Sequence, residues 1–153
     1  KDAALQSHLL YPDEARLYCA PSYAHKHQLA SPDDLVRTTL LHTTILPYWP
    51  DWLQQFSTIT PAQQARIPSQ HFDQSVLAIE TARHGQGVVL SSAVLTEAEM
   101  RDGSLCEPFT GRLATHKGYY LVHPAQRALR PAAQALKDWL LALVAAERAA
   151  ALA

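Results

Sequence analysis

Residues 67–90 read IPSQHFDQSVLAIETARHGQGVVL, and this stretch decides the fold class. Its first six residues are typical of a short strand that ends at the phenylalanine. Asp73 is a good N-cap for a helix over residues 74–84, and Gly85 stands where a helix end favours a left-handed residue. Val88–Leu90 is an apolar run typical of a buried strand. A strand, a helix and a second strand in this order predict a βαβ unit.

The rest of the chain repeats this alternation of short strands and helices. The sequence predicts further strands over residues 16–20, 39–43, 105–109 and 119–123. It predicts helices that start after Ser31, and over residues 50–56, 96–101 and from 128 onward. In the last helix one apolar stripe contains Leu129, Ala133, Leu136, Leu140 and Leu143. We expect this stripe to pack on the protein's own sheet rather than against a partner, although one edge could serve both. We therefore predict an α/β fold with a largely parallel sheet.

The composition is that of a globular chain. The 153 residues are 48% hydrophobic and 18% charged, with a formal net charge of -1. This balance excludes a disordered chain, and it excludes binding of nucleic acid by bulk charge, which needs a clustered excess of Lys and Arg. The sequence lacks a run of eighteen apolar residues, so we expect no membrane span.

Chemistry-bearing residues show no catalytic or metal-binding pattern. Cys19 and Cys106 have no CxxC spacing, so we expect two small buried thiols in a reducing cytoplasm. Of eight histidines only His25 and His27 form a close pair, and HExxH and GxSxG motifs are absent. We expect no metal, no cofactor and no catalytic residue.

The junction between the predicted strand and helix is the best candidate for binding. Carboxyl ends of parallel strands face the ligand crevice in α/β sheets, and helix N-termini there offer N–H groups to anions. Ser75 would add a hydroxyl and Phe72 an apolar wall, while Thr43 and Thr44 close the preceding strand. These groups favour a small anionic or polar ligand. The alternatives are that Asp73 is simply a cap, that Ser75 is solvated and that both threonines are ordinary strand and turn residues.

Several motifs together resemble the effector-binding domain of LysR-type transcriptional regulators. They are, in chain order, Cys19-Ala20-Pro21, Ser31-Pro32-Asp33-Asp34-Leu35, Leu40-Leu41-His42, Trp49-Pro50-Asp51-Trp52-Leu53, Phe72-Asp73-Gln74-Ser75, Ala82 to Val88, Asp102-Gly103-Ser104-Leu105 and Gly118 to Val122. The chain is most similar to the subgroup that contains the glycine-cleavage activator and the β-lactamase regulators. Each motif is weak alone, but their order and spacing make the resemblance specific over nearly the whole chain.

The resemblance implies two α/β subdomains arranged like a type 2 periplasmic binding protein, with the effector in the cleft between them. Residues 1–21 and 111–153 would form subdomain I, incomplete at its N-terminal end, and residues 22–110 would form subdomain II. It also implies which residues bind the effector: Thr43, Thr44, Phe72 and Ser75, with a phenol from Tyr119 or Tyr120.

The implied function is sensory rather than enzymatic. A small effector, such as an amino acid, a peptide or a carboxylate, would control transcription by a cytoplasmic regulator that forms homodimers or tetramers. DNA would be bound only through a winged helix-turn-helix ahead of Lys1. Two rival readings are a periplasmic-type solute-binding protein, which shares the fold, and a small hydrolase or metal enzyme.

The upstream gene sequence tests the family assignment against the solute-binding rival. Because a regulator of this family carries its DNA-binding domain first, we expect a winged helix-turn-helix encoded before Lys1. Sequencing the region upstream checks this. A secretory signal peptide in that place would instead favour the solute-binding protein.

Overall fold

The computed structural model describes residues 4–44 and 47–150. Within these residues the strands are β1 Leu5–Tyr18, β2 Leu40–Thr43, β3 Ser69–Phe72, β4 Val88–Ser92 and β5 Arg112–Pro124. The α-helices are α1 Pro21–Lys26, α2 Trp49–Phe56, α3 Pro61–Gln64, α4 Ser75–Arg83, α5 Glu97–Asp102 and α6 Pro131–Ala150. Two short 3-10 helices span Pro32–Arg37 and Ala93–Leu95. The predicted α/β class is confirmed.

The chain divides into two compact units. We call Glu14–Thr115 the middle unit, and we call Lys1–Asp13 together with His116–Ala153 the terminal unit. The chain passes from one unit to the other within β1 and again within β5. The subdomain bounds expected from the family resemblance stay a prediction.

The sheet has the strand order β3-β2-β4-β1-β5. β2 pairs in parallel with β3 on one side and with β4 on the other. β1 pairs with β4 in the antiparallel direction, with Leu17 opposite Leu90. The sheet is therefore mixed rather than largely parallel, because β1 runs against the βαβ strands beside it.

Two apolar cores cover the two faces of the sheet in the middle unit. Successive residues of a strand point to opposite faces, so β2 sends Leu40 into one core and Leu41 into the other. The first core contains the buried side chains of α2, and the second contains the buried side of α4. Helices on both faces are the usual way to bury parallel strands. Because α4 packs on one face of the sheet, its first residue lies near the carboxyl end of β3.

The α2 helix is anchored by its tryptophans. The Trp49 indole N–H donates to the Leu41 carbonyl at 3.0 Å, which ties the start of α2 to β2. Trp52 is fully buried, and its ring lies 5.2 Å from that of Phe56 and 6.3 Å from that of Phe109. Both tryptophans are core residues of the middle unit.

Two glycines shape the turn between α4 and β4. Gly85 has φ +67, the left-handed conformation that the sequence predicts at this helix end. A Cβ on Gly87 would lie 2.7 Å from the Thr39 carbonyl oxygen and 2.8 Å from the Leu41 side chain. Glycine at residue 87 thus allows β4 to approach β2 closely enough to pair.

Two local predictions are wrong. Asp73 is not the N-cap of α4, because the cap is Gln74 and the helix begins at Ser75. Residues 105–109 form no strand. Of them only Cys106 takes part in an isolated bridge, to Cys19, and Pro108 lacks the N–H that a longer ladder needs.

The apolar stripe of α6 is also only partly covered. Leu136 is 55% exposed and Leu143 is 40% exposed, whereas Val144 is buried. Ala133, Leu140 and Val144 lie on the less exposed side of α6. Leu136 and Leu143 lie outside that side. One edge of the stripe is therefore exposed in this chain, and the use of that edge by a partner stays a prediction.

Replacing Trp52 should destabilise the protein strongly. Trp52→Ala removes a fully buried indole and leaves a cavity, so the free energy of unfolding should fall by about 3 kcal/mol or more. Urea unfolding followed by far-UV circular dichroism measures the change. The matched control is Trp139→Ala, where the side chain is 59% exposed and the expected change is within about 0.5 kcal/mol. Equal effects of the two substitutions would contradict the assigned core.

Candidate functional site

The carboxyl ends of β2 and β3 bring three predicted binding residues together. Thr43 and Phe72 are register partners at the ends of these parallel strands. The Thr44 N–H donates to the Phe72 carbonyl at 3.0 Å, and the Thr44 hydroxyl donates to the same oxygen at 3.2 Å. These bonds fix the Thr44 hydroxyl oxygen in place with its lone pairs able to accept a further hydrogen bond.

Ser75 lies close to this edge because the connection to α4 is short. Only Asp73 and Gln74 separate β3 from the helix, and Ser75 is the first helical residue. Gln74 has extended backbone angles, φ -122 and ψ 130. Within the described part of the chain, no side chain caps this helix start and its first turn contains no acid. The first N–H groups of a helix have no intrahelical partner, so this start can accept an anion.

The four residues differ in their access to solvent. Thr44 is exposed, whereas Phe72 and Ser75 are half-buried, and Phe72 packs against the second core. Thr43 is only 4% exposed, so a ligand at the surface would reach Thr44 and Ser75 more readily than Thr43. The arrangement offers two hydroxyls, backbone N–H groups and the edge of an aromatic ring.

Tyr119 and Tyr120 belong to the terminal unit, whereas the other four predicted residues belong to the middle unit. Both lie on β5, where Tyr119 is 39% exposed and Tyr120 is 52% exposed. Adjacent strand residues point to opposite faces, so the two phenols face opposite sides of the strand.

A histidine pair lies beside this edge, and sequence reasoning missed it. His42 and His71 are register partners on β2 and β3, and their rings stack with centroids 4.6 Å apart. They line a pocket of about 260 Å³ together with Leu40, Pro61, Gln64, Ala65, Ile67 and Ser69. Each histidine is the third residue of its strand, but only the strand register shows that they meet.

The electrostatics of the pair are set mainly by burial. Burial lowers the pKa of His42 because it disfavours the charged imidazolium, and the nearby His71 lowers this pKa further by charge repulsion. Among residues 4–44 and 47–150 no group of three or more His, Cys, Asp or Glu side chains is placed to hold a metal ion. In the same residues no helix has the length and apolar character needed to cross a membrane.

The lowered pKa of His42 predicts a loss of stability in acid. The unfolded chain binds a proton at His42 more tightly than the folded chain, so stability should decrease as the pH falls through about 6.5. His42→Gln should reduce this decrease, and His71→Gln should reduce it less, since burial of His42 remains. Urea midpoints measured from about pH 8 to about pH 5.5 check this. If His42→Gln keeps the wild-type pH dependence, another group is responsible.

Solved structures of effector domains share this fold. The effector domain of the transcriptional regulator AmpR of Pseudomonas aeruginosa aligns with a TM-score of 0.78 and 29% identity, covering 100% of this chain and 72% of that one. The AmpR effector binding domain of Citrobacter freundii aligns with a TM-score of 0.75 and 20% identity, covering 94% of this chain and 70% of that one.

Curated relatives are transcriptional regulators by name. The glycine cleavage system transcriptional activator of Escherichia coli K12 is 33% identical over 142 residues, which is 91% of this chain and 45% of that protein. The HTH-type transcriptional activator AmpR of P. aeruginosa is 33% identical over 138 residues, which is 90% of this chain and 45% of that protein. The chain thus spans less than half the length of these relatives. The model of the LysR substrate binding domain matches residues 1–145, and the chain therefore belongs to the LysR substrate-binding domain family.

Proposed function

We propose that this domain binds a small polar effector at the edge formed by β2, β3 and the start of α4. The observation that carries the proposal is the uncapped, acid-free start of α4, which lies two residues beyond β3. The effector class that fits is an amino acid, a peptide or a carboxylate, because a carboxylate can accept hydrogen bonds from helix N-terminal N–H groups.

Each residue proposed as a contact would offer the effector a different chemical group. The Ser75 hydroxyl can donate to an effector oxygen, and the Thr44 hydroxyl, whose proton is engaged by the Phe72 carbonyl, can accept from an effector N–H. Phe72 supplies apolar surface beside them. A donor and an acceptor side by side suit a ligand that carries both groups, as amino acids and peptides do.

Tyr119 and Tyr120 are proposed as effector contacts on the family resemblance alone. Replacing each phenol by phenylalanine removes one hydroxyl and little else. A loss of effector affinity in Tyr119→Phe or Tyr120→Phe would support that residue as a contact.

We propose that the larger protein is a cytoplasmic regulator whose DNA-binding segment lies outside this chain. The printed names of the relatives, which are transcriptional activators and regulators, support this role. Effector binding would shift the protein between states only to the extent that its affinity differs between them. Homodimers or tetramers are the proposed assembly, and the proposed activity is ligand sensing without catalysis.

A thermal-shift screen followed by calorimetric titration tests the effector site. We expect an amino acid, peptide or short carboxylate to raise the melting temperature, because a ligand of the folded form stabilises it. Ser75→Ala should weaken the binding of that compound about fivefold, the equivalent of about 1 kcal/mol for one hydrogen bond, with nearly unchanged melting of the free protein.

The matched control is Ser69→Ala, which makes the same change at the amino end of β3, away from the proposed edge. It should leave the affinity at its wild-type value. If Ser75→Ala binds as tightly as the wild type, or Ser69→Ala loses as much affinity, the effector does not bind at this edge.

A further inference from the structure

The two cysteines of the chain face each other across an isolated antiparallel bridge. The Cys19 N–H donates to the Cys106 carbonyl at 3.1 Å, and the Cys106 N–H donates to the Cys19 carbonyl at 2.8 Å. Residues that exchange both backbone hydrogen bonds have Cα atoms about 5.5 Å apart. This separation lies within the range of about 4.4 to 6.8 Å that disulfides span. The backbone therefore holds the two residues at a distance that a disulfide can bridge.

The two cysteines differ in how deeply they are buried. Cys19 is fully buried in the first core, whereas Cys106 packs against that core and is only half-buried. A small oxidant can therefore reach Cys106 but not Cys19. Both are free thiols in this structure, and the chain contains no third cysteine that could compete.

Partial exposure makes Cys106, rather than the buried Cys19, the nucleophile. The Cys106 S–H donates to the Cys19 carbonyl at 3.4 Å, and the neighbouring Cys19 thiol lowers the pKa of Cys106 to about 7. Interaction with the Cys106 side chain and burial raise the pKa of Cys19. The carboxylate of the neighbouring Glu107 is paired with Arg16 at 3.2 Å, which offsets a charge that would otherwise oppose the thiolate.

We propose that Cys19 and Cys106 form a reversible intramolecular disulfide, with a hydroperoxide as the oxidant. The Cys106 thiolate attacks the terminal peroxide oxygen, an S–O bond forms, the O–O bond breaks, and the alcohol or water leaves with a proton. Cys106 is then a sulfenic acid. The Cys19 sulfur gives up its proton and attacks the Cys106 sulfur, so that the S–S bond forms and water leaves. Two thiols are oxidised by two electrons, and one hydroperoxide is reduced.

This disulfide would join segments that are distant in sequence. Cys19 follows β1 directly, and Cys106 lies in the segment after α5, 87 residues further along. A cross-link that closes so long a loop restricts the unfolded chain strongly. The oxidised protein should therefore melt about 5 to 10 °C above the reduced protein. The inference is independent of the effector, because it concerns the bridge and not the edge of β2 and β3.

Peptide mapping of the full chain tests the proposal. Trypsin cleaves after Arg16, Lys26, Arg101 and Arg112, so each cysteine falls in its own peptide, residues 17–26 and 102–112. After treatment with hydrogen peroxide we expect these peptides to be linked, no thiol to react with Ellman's reagent, and the chain to stay monomeric on a non-reducing gel. Dithiothreitol should restore two thiols and the lower melting temperature.

Single variants separate the roles of the two sulfurs. In Cys19→Ala, peroxide should leave Cys106 as a sulfenic acid that dimedone labels, because the second sulfur is missing. In Cys106→Ala, the buried Cys19 should resist both peroxide and dimedone. If Cys19→Ala does not fold, the linked peptides of the wild type still decide the question. Two free thiols in peroxide-treated wild type, or linkage only between chains, would overturn the proposal.

Discussion

The structure of the middle unit depends on the burial of β2 from four directions. This strand of four residues has a parallel partner on each side, and its side chains enter the cores on both faces. Leu40 lies in the core that contains the tryptophans of α2, and Leu41 lies in the core that contains the buried side of α4. Both edges of β2 are therefore paired, and three of its four residues are buried. The chain around β2 supplies two neighbouring strands and two covering helices. Short connections join some of these elements.

Those short connections place the candidate effector site. The segment between β3 and α4 is two residues long, so the helix start, the Phe72 ring and the Thr44 hydroxyl are held close to one edge of the sheet. The wrong assignment of Asp73 as a cap is informative here, because the observed cap leaves the helix start open. Packing of α4 on the sheet therefore compensates for the missing cap, and the first N–H groups stay available to a ligand.

The sequence predicted those parts of the fold that depend on neighbouring residues. The βαβ order and the end of α4 at Gly85 have local signals, in the apolar spacing and in the glycine at the helix end. Of the candidate site, the meeting of Thr43 and Thr44 with Phe72 follows from their places at strand ends. That part was predictable because parallel strands end at the same edge.

The parts that were not predicted depend on the register of the strands and on which side of a helix is covered. His42 and His71 meet only because β2 and β3 pair with a particular offset, which no local pattern encodes. The same holds for Cys19 and Cys106, whose bridge replaces the strand expected over residues 105–109. In α6, apolar spacing indicated a helix but did not show which side of it would be covered.

The buried tryptophans also give the middle unit its own optical reporter. Trp49 and Trp52 lie in the apolar interior of the middle unit, with ring centroids 6.3 Å apart, and Trp139 is exposed in the terminal unit. Buried indoles emit at shorter wavelengths than hydrated ones. Unfolding of the middle unit will therefore shift the fluorescence to the red, while Trp139 contributes a component that is already red in the native protein. The red shift therefore reports the unfolding of the middle unit alone, without any added dye.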